Sequence, residues 1–136
     1  MRNVTLVIAA LILVSCSDPA TAPGDLPSVT GSWVLQSLQI EGGPAMVAEP
    51  GAYTADFTTD GLVSARADCN RCSASYAAAG TSLEIGALAC TRAYCGNDSL
   101  FDEYVAALDA ATSFERSSSS LVIRYPRGNL RFVPED

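Results

Sequence analysis

From Gly31 onward apolar and polar positions alternate, the period of a half-buried β-strand. Trp33 and Leu35 share one face, and Leu38 and Ile40 continue it after a phase slip near Ser37 that predicts a bulge. Gly42-Gly43-Pro44 ends this strand, and 45–52 carries no clear periodicity. Tyr53, Ala55 and Phe57 form the next apolar face, with Thr54, Asp56 and Thr58 opposite, and Asp60-Gly61 marks a hairpin. Matching the faces sets the loop length. A two-residue turn would oppose Phe57 to Ser64 and Ala55 to Arg66. A loop of Thr59-Asp60-Gly61 instead pairs Phe57 with Val63, Ala55 with Ala65 and Tyr53 with Ala67. Only the second keeps one face apolar, so Gly61 is predicted in the left-handed position of a bulged turn. A second hairpin is expected between 73–77 and 82–88 around Ala79-Gly80, with Tyr76 facing Leu83 and Ala74 facing Ile85.

The period changes once. Phe101, Tyr104, Val105 and Leu108 recur at spacings of three and four, which predicts a helix from 100 to about 111 with one apolar face set against a β core. Ser99 with Asp102 resembles a capping box, and Asp102 and Glu103 suit the positive end of the helix dipole. Two strands close the chain, 121–125 and 130–133, joined by the turn Pro126-Arg127-Gly128-Asn129. The expected class is mainly β: a small antiparallel barrel or curled sheet of about six to eight short strands with one helix.

The first thirty residues follow a different pattern. After Arg2 comes an almost unbroken apolar run, 4–14, too short for the roughly twenty residues a membrane-spanning helix needs but suited to a signal peptide. Leu13-Val14-Ser15-Cys16 looks like a bacterial lipobox, so 1–15 reads as a lipoprotein signal peptide and Cys16 as the lipidated residue. Segment 16–30, rich in Pro, Ala and Gly through Pro27, reads as a flexible tether to a folded domain at 31–134. The expected address is the bacterial cell envelope, facing the periplasm or exterior. Ser17 stands where an acid would resemble an inner-membrane retention signal, which favours the outer membrane.

Composition then narrows the chemistry. The chain has no His and no Lys; eight Arg face fifteen acids, for a net charge of −7. Processing before Cys16 removes Arg2 and leaves seven Arg against fifteen acids, or −8. Triads and pairs that need His, His-ligated metals, phosphate-loop lysines and Schiff bases are all excluded. So acidic a chain is not expected to bind nucleic acid. Asp56, Asp60 and Asp68 could in principle supply an acid–base pair, but a turn accounts for Asp60 and an exposed strand face for Asp56. No enzyme activity, cofactor or metal is expected.

Beyond Cys16 four cysteines remain: Cys69, Cys72, Cys90 and Cys95. In an exported chain an even number reads as two disulfides. A zinc site is disfavoured because Cys90 and Cys95 have four residues between them. A redox CxxC needs a helix starting at its first Cys, and an alternating strand follows Cys72. Cys69–Cys72 would close too tight a loop. The simple hairpin register puts Cys69 opposite Cys90, allowing Cys69–Cys90 with Cys72–Cys95, while Cys69–Cys95 with Cys72–Cys90 requires a bulge near Asn70. Spacing leaves both open.

Several of these residues occur together in a recognisable order. Trp33 and Leu35, then Phe57, Asp60-Gly61 and Val63, precede Cys69-Asn70-Arg71, Ser75-Tyr76, Leu83 and Ile85. The most specific segment is Leu88-Ala89-Cys90-Thr91-Arg92-Ala93-Tyr94-Cys95. From Gly31 to Val133 the chain resembles the META/HslJ-like family of small bacterial envelope lipoproteins. The resemblance implies a small barrel-like domain, an association with envelope stress, and no known enzyme activity. It matches Cys69 and Cys95 to the family's usual cysteines and so implies the nested pairing, with Cys72 and Cys90 as an added bridge. Asp68 and Ala74 replace glycines common in the family, so a positive φ at either does not carry over. Asn70, Thr91 and Arg92 lie at the motif's centre. They are expected to hold structure, Asn70 by bonding backbone at a bulge and Arg92 by pairing with a carboxylate. Gly31-Ser32-Trp33 also resembles the Gly-x-Trp of lipocalin-like barrels, where a late-strand Arg, here Arg131 or Arg124, would pack over the indole.

The expected function is that of a non-catalytic envelope lipoprotein, anchored in the membrane through Cys16 and serving as a partner-binding or stress-related accessory protein. The alternative is a carrier holding a small hydrophobic ligand in a lipocalin-like interior.

Overall fold

The structure is a computed structural model and describes residues 28–136. The signal peptide, Cys16 and most of the tether lie outside the described residues. The strands are β1 (Gly31–Ile40), β2 (Ala45–Val47), β3 (Tyr53–Phe57), β4 (Leu62–Ala67), β5 (Asn70–Ala79), β6 (Ser82–Ile85) and β7 (Ala89–Cys90). The helix α1 (Phe101–Asp109) follows, then β8 (Ser113–Arg116), β9 (Leu121–Tyr125) and β10 (Gly128–Pro134). Eight of the strands close an antiparallel barrel in the order β1-β3-β4-β5-β6-β8-β9-β10, with β10 returning to β1. β2 adds to β1 and β7 to β5 outside this ring. The protein is mainly β with a single helix among the described residues.

β1 carries the closure. It pairs along its length with β10, from Trp33↔Pro134 to Ile40↔Gly128, while its other edge is shared between β3 and β2. The register slips between Leu35 and Ser37, so Gln36 is the extra residue of a bulge. That bulge lets Trp33 and Leu35, then Leu38, all point inward.

The β3–β4 hairpin has the predicted pairs Phe57↔Val63, Ala55↔Ala65 and Tyr53↔Ala67, with Gly61 at φ +82°. The second hairpin differs from expectation by two residues. Tyr76 pairs with Ile85 and Ala78 with Leu83, around a two-residue turn, Gly80-Thr81. Gly80, at φ +59°, takes the first central position, which glycine fills without strain and which matches strand twist. Because the shift is even, Leu83 and Ile85 keep their inward face. Further along, Ser75 accepts from Gly86 while Ser73 pairs with Ala89, so one extra residue bulges between them. The longer register and this bulge together bring Cys72 opposite Cys90.

β8 was not anticipated, because its four residues carry one buried apolar side chain, Phe114. β2 is three residues long, too short for a period to register. The helix is also shorter than expected. Leu100 occupies the N-cap position and, having no side-chain acceptor, gives no side-chain cap; its own N–H donates to the Tyr53 hydroxyl at 2.7 Å. Ser99 contributes less than a full cap, its Oγ accepting from the Phe101 N–H at 3.3 Å.

The barrel interior is filled. Trp33, Phe57, Phe114 and Phe132 join Leu35, Leu38, Leu83, Leu121, Ile123 and Leu130, all essentially without solvent contact. Helix α1 buries Tyr104, Ala107 and Leu108 against this core, and the Tyr104 hydroxyl donates to Thr54 O at 2.8 Å. Complete burial pushes the Tyr104 phenol well above its ordinary range, because the phenolate would lose its hydration. At the other end Val29 is buried and its carbonyl accepts the Trp33 indole N–H at 3.0 Å.

Candidate functional site

The residues singled out in the sequence converge where β5 leaves the β4–β5 turn. Ala67 pairs with Asn70 across the two-residue turn Asp68-Cys69. Asp68 has φ +60°, so the left-handed geometry persists without glycine; Asp is among the few residues that tolerate it. Its carboxylate accepts from the Tyr53 hydroxyl at 3.3 Å, and its carbonyl accepts from Arg66 Nε at 3.0 Å.

Asn70 is 1 % exposed, the one buried polar residue among those described. Its Oδ1 accepts from Ala93 N at 2.7 Å and from Thr91 Oγ1 at 2.9 Å, and its Nδ2 donates to Ala93 O at 3.0 Å. The amide thus behaves as a strand partner for the segment after β7. Thr91 adds a second clasp, its hydroxyl oxygen accepting from Arg71 N at 3.0 Å and its own N–H donating to Arg71 O at 3.0 Å. Both residues serve the backbone, Thr91 from an exposed position and Asn70 from a buried one, where an amide needs such partners because water is excluded.

Arg92 departs from expectation. Its guanidinium stands 5.9 Å from the centroid of Phe101, and the one ion pair among the described residues is Arg124–Glu115 at 2.9 Å. Tyr94, beside it, is 80 % exposed, in an open surface groove of about 540 Å³ flanked by Asn97, Ser99, Asp102 and Glu103.

The disulfides surround this clasp. Cys69 is joined to Cys95 and Cys72 to Cys90, with Cα–Cα distances of 5.6 and 4.1 Å. Together they tie β5 and its preceding turn to the segment entering the helix. Asp109 Oδ1, accepting from Leu88 N at 3.1 Å, ties that segment to the end of α1.

The arginine over Trp33 is Arg116, 5.0 Å from the ring, instead of Arg131 or Arg124. Strand parity explains the correction. Arg116 lies two residues beyond the inward-facing Phe114, so it points inward at the strand's end. Arg124 follows the buried Ile123, and Arg131 lies between the buried Leu130 and Phe132, so both point outward. Arg116 Nη1 also donates to Ser28 O at 2.6 Å and Thr30 O at 3.0 Å, tying the incoming chain to the barrel end.

The carboxylates do not form an acid–base pair. Asp56 accepts from Ser32 Oγ at 2.9 Å on an outer face, Asp60 caps its own hairpin through Thr58, and Asp68 bonds Tyr53. No cluster of His, Cys, Asp or Glu that could hold a metal occurs among the described residues. The other large groove, about 530 Å³, runs between α1 and the β9–β10 turn, lined by Ile40, Ala106, Ala110, Tyr125, Pro126 and Arg127.

The META domain family model matches residues 26–136. The chain belongs to the META domain family. Its fold is similar to an NMR structure of a protein from Burkholderia xenovorans, at TM-score 0.65 and 24% identity, covering 91% of this chain and 99% of that one. It is also similar to the crystal structure of a lipocalin-like protein from Bacteroides uniformis, at TM-score 0.56 and 22% identity, covering 82% and 100%. Comparison with curated proteins finds no match. In this META domain the Asn70–Thr91 clasp and both bridges sit on one corner of the barrel wall, next to the helix entrance.

Proposed function

We propose that this META domain protein is a non-catalytic lipoprotein of the bacterial envelope, anchored through lipid on Cys16 and presenting its domain to a protein partner as an accessory in envelope stress. The observation that carries the non-catalytic reading is how the motif's polar groups are used. Asn70 and Thr91 bond backbone, each other and the Cys95 sulfur, while Arg92 lies over an aromatic ring. A reacting group would need a free donor or acceptor aimed at a substrate. The filled interior gives the carrier alternative no observation in its favour. The exposed Tyr94 beside Arg92 supports a partner-facing role, since aromatic and Arg side chains are enriched where proteins bind.

The anchor is tested by expressing the full chain and its Cys16→Ser variant in a bacterium. The parent is expected in the membrane fraction with a lipid mass increment, and the variant without it. A parent chain lacking lipid would overturn the anchor. Crosslinking in intact cells tests the partner reading: recovery of one specific envelope protein is expected, and recovery of abundant bystanders alone counts against it.

A further inference from the structure

The two disulfides differ in what surrounds their sulfurs. Cys72–Cys90 lies inside the β5–β7 pair, with Cys72 5 % exposed. Cys69–Cys95 lies at the outer corner, with Cys69 exposed in the Asp68-Cys69 turn. Two N–H donors converge on one of its sulfurs: Cys69 N at 3.2 Å and Asn70 Nδ2 at 3.3 Å from Cys95 Sγ. A disulfide sulfur is a weak acceptor, whereas a thiolate is a strong, charged one. These donors therefore favour negative charge on Cys95, and a better-stabilised thiolate leaves faster.

We propose that Cys69–Cys95 is a thiol–disulfide exchange site for a dithiol reductant, with Cys69 the attacked sulfur and Cys95 the leaving group. A thiolate of the reductant bonds to Cys69 Sγ as the Cys69–Cys95 bond breaks, and the electron pair goes to Cys95. The reductant's second thiolate then attacks its partner sulfur in the mixed disulfide and releases Cys69. Two electrons pass from the dithiol to the protein, the reductant ends as a disulfide, and its two protons end on Cys69 and Cys95. This differs from CxxC chemistry, because Cys69 and Cys72 are bonded to different partners. In the inner bridge Cys72 is buried and Cys90 half-buried, so an attacking thiolate has less access than at the exposed Cys69 and the bridge opens more slowly. Opening the outer bridge leaves the segment that carries Arg92 and Tyr94 held to β5 by the Asn70 and Thr91 clasp and the inner bridge.

The test treats the full chain, both bridges closed, with dithiothreitol and no denaturant, quenching with iodoacetamide at intervals. Peptide mapping is expected to show Cys69 and Cys95 alkylated at least about ten times faster than Cys72 and Cys90. With glutathione as a monothiol, the trapped adduct is expected on Cys69. Equal rates at the two bridges, opening only after denaturation, or an adduct on Cys95 would each overturn the proposal. Asn70→Asp puts a carboxylate oxygen in place of the Nδ2 donor. In variant protein that keeps the parent far-UV spectrum, opening is expected to slow about tenfold; an unchanged rate overturns the positioning role of Asn70.

Discussion

Removing the amide of Asn70 takes a partner from three groups at once: the Ala93 N–H, the Ala93 carbonyl and the Thr91 hydroxyl. Ala93 and Thr91 are exposed residues and Thr91 Oγ1 still accepts from Arg71 N, so water and that bond offset part of the loss. Asn70→Ala is expected to lose about 2 kcal/mol, read by urea denaturation. Tyr104 makes a different prediction, in pH. Its folded phenol titrates far above an unfolded one, which ionises near pH 10. Below that pH both states hold the proton and the stabilisation is fully present. Above it only the unfolded chain releases its proton, so stability falls as pH rises. Tyr104→Phe should cost about 1 kcal/mol at neutral pH through the lost bond to Thr54 O. Its stability should then decline less steeply than the parent's between pH 10 and 11. Identical slopes would place the alkaline loss elsewhere.

Among the elements, the β1–β10 seam is the most demanding. A Cβ on Gly128 would lie 1.8 Å from Gln39 O, an overlap with backbone that no side-chain movement relieves. Gly128→Ala is expected to cost about 3 kcal/mol or more, with lost protection of β1 and β10 amides in hydrogen exchange. Gly80→Ala is the contrast. Its Cβ would meet nothing within 4 Å, so only the left-handed backbone, at φ +59°, opposes it. The expected cost is about 1 kcal/mol. The helix illustrates how one element reshapes another. Tyr53, on β3, takes the Leu100 N–H, a long-range bond that ties the N-cap of α1 to the barrel wall where no side chain caps the helix.

For the whole molecule, the barrel ends matter as much as its wall. Helix α1 closes one end, and Val29 with Arg116 over Trp33 closes the other. The disulfides brace the wall near the helix, closing loops of sequence separation 26 and 18. Chain-entropy arguments give about 3 kcal/mol for each. Reduction under denaturing conditions should raise the intact mass by four hydrogens for the two bridges, and the fully reduced domain should melt at a markedly lower temperature. A rise of two under those denaturing conditions would mean that one bridge is absent from the protein.

The sequence by itself determined which face each strand buries, because a period of two is a property of the local backbone. Trp33 and Leu35 against Leu38 revealed a bulge near Ser37, which the structure places at Gln36, and Phe57 against Val63 revealed the 59–61 loop. Parity also held the answer for Arg116, two residues from Phe114, although a strand with one buried apolar side chain left no pattern to read it against. Tertiary structure alone decided the rest. The turn at Gly80-Thr81 and the bulge before Ala89 chose which cysteines face each other. Closure required Gly31–Ile40 to meet Gly128–Pro134, a contact between chain ends that no local period encodes. The same long-range packing surrounded Asn70 with backbone and thereby fixed its role, since a buried amide takes its function from the partners folding brings to it.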